Sequence, residues 1–118
     1  MENLKRIFKA LSDETRLRII GLLFEREICI CELEQVFNLS LSTISRHMNI
    51  LKMAGLVKGR RDGQWIHYHL EPKDGYVRAV LRFLKEILKD NEVIKEDKKA
   101  LSSAKRLSKT PPRKYEEG

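Results

Sequence analysis

The chain contains two cysteines, Cys29 and Cys31, which are separated by a single residue. A reducing cytosol keeps such a pair as free thiols instead of a structural disulfide. Thiolates are soft donors that bind thiophilic metal and metalloid ions, and neighbouring thiols can also be oxidised together. The pair is therefore a candidate ligand set or redox switch, although buried cysteines also occur as inert, small hydrophobic residues.

The two thiols alone do not indicate an enzyme. No activating base stands beside them in the sequence, their spacing is not Cys-x-x-Cys, and the chain has no loop motif that would hold a cofactor. We therefore expect a protein that is not an enzyme, with no catalytic residues and no required cofactor.

Basic residues provide the second kind of chemistry, which is phosphate binding. The 118-residue chain has a net charge of +7, but residues 98–115 hold seven basic and no acidic side chains, so the remainder is neutral. Within that remainder, residues 40–69 hold five basic residues against one acidic residue. This local excess of positive charge is typical of a nucleic-acid-binding surface.

Four helices are predicted in the first 55 residues, and the last of them begins the basic stretch. Apolar residues at helical spacing predict two helices within the first 24 residues, with Ser12 as the N-cap of the second. A third helix is predicted over Cys31 to Phe37, with Asn38 as a left-handed terminator. A fourth runs from the Ser40 cap to Gly55. A short helix, a tight turn and a longer helix form a helix-turn-helix motif.

The outer face of the fourth helix is the predicted DNA-reading surface, because Ile44 and its helical repeats face the core. Five polar residues lie on that face or its edges: Ser42, Thr43, Ser45, Arg46 and Asn49. Arg46 is the candidate for a base contact, since its guanidinium can bond two acceptors of guanine. For an isolated helix, a solvated face would be the simpler interpretation; the flanking elements favour DNA binding.

A β-hairpin, or wing, is predicted directly after this helix. Two-residue alternation predicts strands over 57–61 and 64–70, and Asp62-Gly63 between them suits a type I′ turn. Three cations flank the turn: Lys58, Arg60 and Arg61. They are predicted to contact the DNA backbone or minor groove, although charges also protect exposed strand edges.

A long final helix is predicted from about Lys73. The first and last helices together carry more apolar surface than one small subunit covers, which predicts a homodimer. The predicted interface residues are Leu4, Ile7, Phe8, Val77, Val80, Leu81, Leu84, Ile87 and Leu88. Residues 93–118 are rich in Lys and Ser and contain Pro111-Pro112, which predicts a basic, disordered tail after a domain spanning residues 1–92.

The predicted fold is mainly α with a small β-hairpin: a homodimeric winged helix-turn-helix with the element order α-α-α-α-β-β-α. No apolar stretch approaches the roughly 18 residues needed to cross a bilayer. We therefore expect a cytoplasmic protein whose partner is double-stranded DNA and not a membrane.

Several short motifs resemble the ArsR/SmtB family of metal-sensing repressors. They are Ser45-Arg46-His47, Ala54-Gly55-Leu56-Val57, Gly63-Gln64-Trp65 and His67-Tyr68. The run from Glu27 to Leu33 resembles the thiolate-bearing segment of the arsenical-resistance repressors, a narrower subgroup. The resemblance, from about Leu4 to Leu88, implies a homodimer that represses a resistance operon at an inverted-repeat operator. It implies release when arsenite, antimonite or another thiophilic ion binds Cys29 and Cys31.

One position departs from the arsenic-sensing pattern, because Glu34 stands where that pattern has a third cysteine. A carboxylate is a hard donor, so the two cysteines are expected to supply both protein ligands, with solvent or a small thiol completing the site. The final helix has no histidine beside its acidic residues, which disfavours a zinc or nickel site there. His67 and His69 share one strand face, where we expect packing or hydrogen bonding instead of metal binding.

Residues two apart in a regular α-helix point about 200° away from each other. We therefore expect ion binding by the two cysteines to distort the start of the third helix and to shift the reading helix in the major groove. Two alternatives remain: a redox- or reactive-sulfur-responsive repressor that uses the same cysteines, and a winged-helix regulator with inert cysteines. A protein-interaction module would lack the steep salt dependence of DNA binding.

Overall fold

The computed structural model describes residues 1–116. In chain order its elements are α1 (Glu2–Leu11), α2 (Glu14–Leu23), β1 (Ile28–Cys29), α3 (Ile30–Phe37), α4 (Leu41–Met53), β2 (Val57–Asp62), β3 (Trp65–Leu70), α5 (Gly75–Leu88) and α6 (Glu92–Ser103). The predicted winged helix-turn-helix order is confirmed, with β1 and α6 as additional elements. No helix in this part of the chain is long and apolar enough to cross a membrane.

Side-chain caps set the bounds of the helix-turn-helix. The Ser40 hydroxyl accepts an N–H of the first turn of α4 at 3.3 Å, which confirms the predicted N-cap. Asn38 ends α3 with φ 51°, as the predicted left-handed terminator. At α2 the N-cap is Asp13 instead of the predicted Ser12, because the Asp13 carboxylate reaches a backbone N–H of the first turn at 3.1 Å. Only residues 38–40 separate α3 from α4.

The three strands form one antiparallel sheet in the order β1-β3-β2. Asp62 pairs with Trp65, so the two central turn residues are Gly63 and Gln64 instead of the predicted Asp62-Gly63. Gly63 has φ 61°, whereas Gln64 is not in the left-handed region. A positive φ only at the first central residue is typical of a type II′ turn and not of the predicted type I′ turn. The turn shifts by one residue because glycine takes up this φ without strain.

The hydrophobic core lies between the sheet and the helices, and all six helices contribute buried residues to it. Several predicted dimer contacts are buried in this same core, so they are not free to meet a partner: Ile7, Val77, Leu81 and Leu84. Phe8 and Ile87 are 59% and 53% exposed. The remaining predicted contacts are half-buried: Leu4, Val80 and Leu88. The sequence pattern merges the two groups because core-facing and outward-facing apolar residues are neighbours on the same helices.

The segment predicted to be a disordered tail contains a helix, α6. The Ile94 side chain lies 2.7 Å from the place where a Cβ on Gly21 would be, so the glycine allows α6 to approach α2 closely. The Arg18 guanidinium donates two hydrogen bonds, at 2.7 and 2.8 Å, to the buried carboxylate of Asp97. The prediction of a disordered tail is therefore wrong for α6, because the lysine-rich composition masks the narrow buried face of an amphipathic helix.

Residues 104–116 return across the sheet side of the molecule, and we call this segment the strap. Arg26 and Lys114 form an isolated antiparallel bridge, and the Glu27 N–H donates to the Arg113 carbonyl at 2.7 Å. The rings of Phe24 and Tyr115 pack edge to face with their centroids 5.6 Å apart. The last two residues of the predicted tail, 117 and 118, lie outside the described residues.

Candidate nucleic-acid interface and thiol site

Helix α4 presents a polar face to solvent opposite its buried stripe. Ile44, Met48 and Leu51 are 0% exposed and fix the rotation of the helix against the core. The predicted reading residues that are exposed are Ser42, Ser45, Arg46 and Asn49. Thr43 is half-buried because its hydroxyl accepts from Ser40 at 3.0 Å beside the cap. The predicted face is therefore present and accessible.

Arg61 extends this face onto the wing. It is exposed, and with Ser45, Asn49 and Lys52 it lines a groove between α4 and the hairpin. Lys52 is absent from the predicted set, although its position three residues after Asn49 on the same helix face would have identified it. Lys58 is also exposed, but its ammonium lies 2.9 Å from the Glu71 carboxylate. The groove thus joins two separate elements into one polar, cationic surface.

Arg60 lies on the opposite face of β2 and is engaged inside the molecule. Its guanidinium donates to both carboxylate oxygens of Glu27, at 2.6 and 3.3 Å. Glu27 is 1% exposed. Burial raises the pKa of Glu27, but the hydrogen bonds and charge of Arg60 outweigh it and the net pKa is lowered. A buried carboxylate therefore holds the half-buried side chain of Arg60, and its contact with DNA stays a prediction.

The two cysteine sulfurs already lie side by side at the start of α3. Cys29 and Cys31 are 0% and 3% exposed, and the Cys31 thiol donates to the Cys29 sulfur at 2.8 Å. Cys29 is not helical: it is the N-cap of α3, with φ −73° and ψ 144°. The two sulfurs therefore converge without the distortion of the start of α3 that we expected ion binding to require.

Burial dominates the chemistry of the Cys29 thiol. Desolvation, followed by the hydrogen bond from Cys31, raises the pKa of the Cys29 thiol to about 12. At neutral pH, Cys29 is consequently protonated in the free protein. An ion that binds this sulfur must exchange with the thiol proton and must first gain access to a site closed to solvent.

Glu32 organises the surroundings of the thiols, although the sequence reasoning did not include it. Its carboxylate accepts the Cys29 backbone N–H at 3.0 Å, which forms a capping box, and also accepts from Arg26 and Arg106 at 2.7 Å each. Burial raises the pKa of Glu32, but these hydrogen bonds lower it by a larger amount, so the net pKa is depressed. Its position three residues after an N-cap was a signal for this role.

Of the two histidines of β3, His67 has the expected hydrogen-bonding role, whereas the buried Nδ1 of His69 has no hydrogen-bond partner among the described residues. His67 is 0% exposed, with Nδ1 2.8 Å from Arg106 and Nε2 3.0 Å from the Ser108 hydroxyl. His69 is half-buried, and its Nδ1 lies 3.6 Å from Glu27. Glu34, which replaces a third cysteine, is half-buried. Within residues 1–116, no three His, Cys, Asp or Glu side chains are arranged to hold a metal ion.

The fold and the exposed α4 surface define a winged helix-turn-helix protein. Its solved relatives include the homodimeric winged helix-turn-helix DNA-binding domain Mb0332 of Mycobacterium bovis, 25% identical, with a TM-score of 0.63 over 77% of this chain and 82% of the other. Residues 13–58 match the family described as "Bacterial regulatory protein, arsR family".

Two curated relatives narrow this class. The arsenic resistance transcriptional regulator ArsR1 of Pseudomonas putida is 46% identical over 64% of this chain and 61% of its own length. A homologue of the cadmium resistance regulatory protein CadC from Staphylococcus aureus is 36% identical over 75% of this chain and 70% of its own length. The chain belongs to the arsR family of transcriptional regulators. The match spans only about three fifths of the length of the Pseudomonas relative.

Proposed function

We propose that this chain is a dimeric transcriptional repressor of a resistance operon, released from its operator when trivalent arsenic or antimony binds Cys29 and Cys31. The observation that carries this proposal is the 2.8 Å approach of two sulfur atoms beside the helix-turn-helix. The similarity to an arsenic resistance regulator supports the same class of inducer. Operator binding also agrees with the cytoplasmic location expected from the sequence.

Ligand exchange without oxidation or reduction accounts for binding. Arsenous acid carries three hydroxyl groups; each thiol sulfur forms one bond to arsenic while one As–O bond breaks, and the thiol proton leaves with the hydroxide as water. Two As–S bonds form, two waters leave, and the third hydroxyl stays on arsenic. Two sulfurs therefore suffice. Another thiophilic ion such as cadmium would use the same two sulfurs and would take its further donors from outside residues 1–116 of this one subunit.

The exposed groove between α4 and the wing is the proposed DNA-reading surface. Arg46 enters the major groove, and Lys52 and Arg61 contact the backbone beside it. Phe8 and Ile87, together with the exposed rings of Tyr76 and Phe83, supply apolar surface on α1 and α5 for a second copy. A two-fold dimer would present two α4 helices to an inverted-repeat operator.

The thiols are close enough to α4 to influence it. Cys31 lies in the first turn of α3, and residues 38–40 connect α3 directly to α4. A change at the start of α3 would therefore displace α4 relative to its dimer mate. Coupling of about 1 to 3 kcal/mol is typical of allosteric proteins and corresponds to a roughly 5- to 150-fold loss of operator affinity.

A DNA-binding titration tests the proposal. The full chain is titrated onto the DNA upstream of its own gene, with and without arsenite, and compared with the double variant Cys29→Ser and Cys31→Ser. We expect arsenite to weaken binding of the parent by a factor in the range of about 5 to 150, and to leave the variant unchanged. An unchanged parent in excess arsenite would refute the inducer assignment.

Further arms of the same titration separate the alternatives. Release by peroxide or polysulfide, reversed by a reductant, would identify a redox- or sulfur-responsive repressor instead. Binding that does not weaken with added salt would contradict a DNA-binding role, because Lys and Arg contacts to phosphates release counterions. Release by cadmium but not by arsenite would contradict the assignment of trivalent arsenic or antimony as the inducer.

A further inference from the structure

The strap, residues 104–116, contacts both the thiol site and the wing. At the thiol site, the Arg106 guanidinium donates to Glu32 Oε1 at 2.7 Å. The same oxygen accepts the Cys29 backbone N–H at 3.0 Å. A second nitrogen of Arg106 lies 2.8 Å from His67 Nδ1, and His67 is the residue that β3 pairs with Cys29. Arg106 thus contacts both Glu32, which accepts the Cys29 N–H, and His67, which pairs with Cys29 in the sheet.

At the wing, the strap binds Asp62, the last residue of β2. The Ser108 hydroxyl lies 3.3 Å from the Asp62 carboxylate, and the Thr110 hydroxyl donates to the same carboxylate oxygen. Ser108 is 7% exposed, although it lies in a segment without regular secondary structure. Asp62 pairs with Trp65 across the turn, so these contacts fix the tip of the hairpin.

His67 joins the two ends through a hydrogen-bond chain with a defined direction. A guanidinium can only donate, so His67 Nδ1 accepts from Arg106 and the imidazole proton must reside on Nε2. Nε2–H then donates to the Ser108 oxygen, 3.0 Å away, and the Ser108 hydroxyl proton is left for Asp62. If Arg106 moved away from His67, the group that fixes the His67 proton on Nε2 would therefore be lost.

We propose that the strap couples the thiol site to the wing: an ion that binds Cys29 and Cys31 displaces Arg106, and the strap then releases Asp62 and the hairpin tip. This inference rests on the proposed function. Both sulfurs are closed to solvent, so an ion reaches them only after local opening. We take the strap as the neighbour that opens, because side-chain hydrogen bonds, one isolated bridge and the packing of Tyr115 on Phe24 hold it instead of helix or ladder bonds.

Coupling of this kind is reciprocal. An ion that binds the cysteines only when the strap is open stabilises the open state. Conversely, a protein whose strap is already loosened binds the ion more tightly, and the two changes in equilibrium constant are equal. Weakening the Asp62 end should therefore change events at the thiols, even though the altered side chains do not touch sulfur. This reciprocal effect distinguishes a coupling element from a passive cover.

The test uses the double variant Ser108→Ala and Thr110→Val in the full chain, with Lys109→Ala as a matched control. The double variant removes both hydroxyls from Asp62, whereas Lys109 is an exposed residue of the same segment. Asp62→Ala breaks the same contacts from the wing side and serves as an independent variant if the first folds poorly. The single tryptophan of the chain, Trp65, reports on the hairpin tip by its fluorescence.

Arsenite is expected to shift Trp65 emission in the parent and in Lys109→Ala, and to weaken their operator binding by a factor in the range of about 5 to 150. In the variants that break the contacts of Asp62, which we call the Asp62-contact variants, Trp65 emission before arsenite is added should already lie near the value of the arsenite-bound parent. Their thiols should react with Ellman's reagent at least about fivefold faster, and arsenite should change operator affinity less than in the parent.

Two failures of this experiment are distinguishable. If arsenite does not protect the parent thiols from Ellman's reagent and does not release DNA, the proposed function is wrong. If arsenite binds and releases the parent, but the Asp62-contact variants match it in thiol reactivity, emission and loss of affinity, the strap is a passive cover and the coupling is refuted.

Discussion

Arg60 and Arg61 are neighbours in β2 and are identical in type, yet they lie in different environments. Arg61 is exposed and lines the groove beside α4, whereas Arg60 turns to the other face and binds the buried Glu27 through two hydrogen bonds. Alternation along the strand separates them, and the buried carboxylate determines which of the two is engaged. The buried acid restrains the cation on its own side of the sheet, which makes Arg61 the more accessible of the two residues.

Arg60→Ala is expected to have the largest effect, and it is an effect on stability. The substitution leaves Glu27 buried without its two-pronged partner, which should lower the free energy of unfolding by about 3 kcal/mol. Urea unfolding measures this, and Arg61→Ala is the matched control, with an expected change below about 0.5 kcal/mol. Equal losses in both variants would contradict the division between the two faces.

Arg46→Ala is expected to give the next largest effect, on DNA recognition without loss of stability. A base contact by this exposed residue of α4 should contribute about 2 kcal/mol, so operator affinity should fall roughly 30-fold. Binding to a scrambled duplex of the same length should fall much less, because phosphate contacts carry no sequence information. A fluorescence anisotropy titration on both duplexes measures the ratio; the same loss on both would make Arg46 a backbone contact.

Arg61→Ala is expected to give the smallest effect, a uniform weakening of binding to any duplex. Loss of one phosphate contact should reduce the slope of log affinity against log salt by about 1. Lys58→Ala provides the comparison, because Lys58 is already paired with Glu71 on an exposed surface. We expect a smaller slope change for Lys58, and a slope unaffected by Arg61→Ala would remove the wing from the proposed interface.

Local signals made the reading motif predictable from the sequence. The Ser40 cap, the left-handed Asn38 and the spacing of Ile44, Met48 and Leu51 each involve residues within a few positions of one another. These signals place α3, the turn and α4 without knowledge of the rest of the chain. The exposed position of Arg46 follows directly from them.

Long-range pairs were not predictable in this way. Glu27 and Arg60 are 33 residues apart, and Ser108 meets Asp62 across 46 residues, so no local pattern announces either contact. The strap also shares its composition with a solvated basic tail, and only its contacts distinguish the two. The environment of Cys29 depended on where α3 begins, a boundary that sequence patterns fix only to within one or two residues.

The capping box at α3 bears on why sulfur is found at residue 29. Hydroxyl and amide side chains are the preferred N-caps, and a serine would fill this position without disturbing the backbone. Glu32 gathers Arg26, Arg106 and the Cys29 backbone into one charge-assisted cross-link that needs no oxidant. This cross-link does not depend on a disulfide, so it persists under reducing conditions while both cysteines stay free thiols. A weaker N-cap at α3 is thus the consequence of having a second thiol within reach of Cys31.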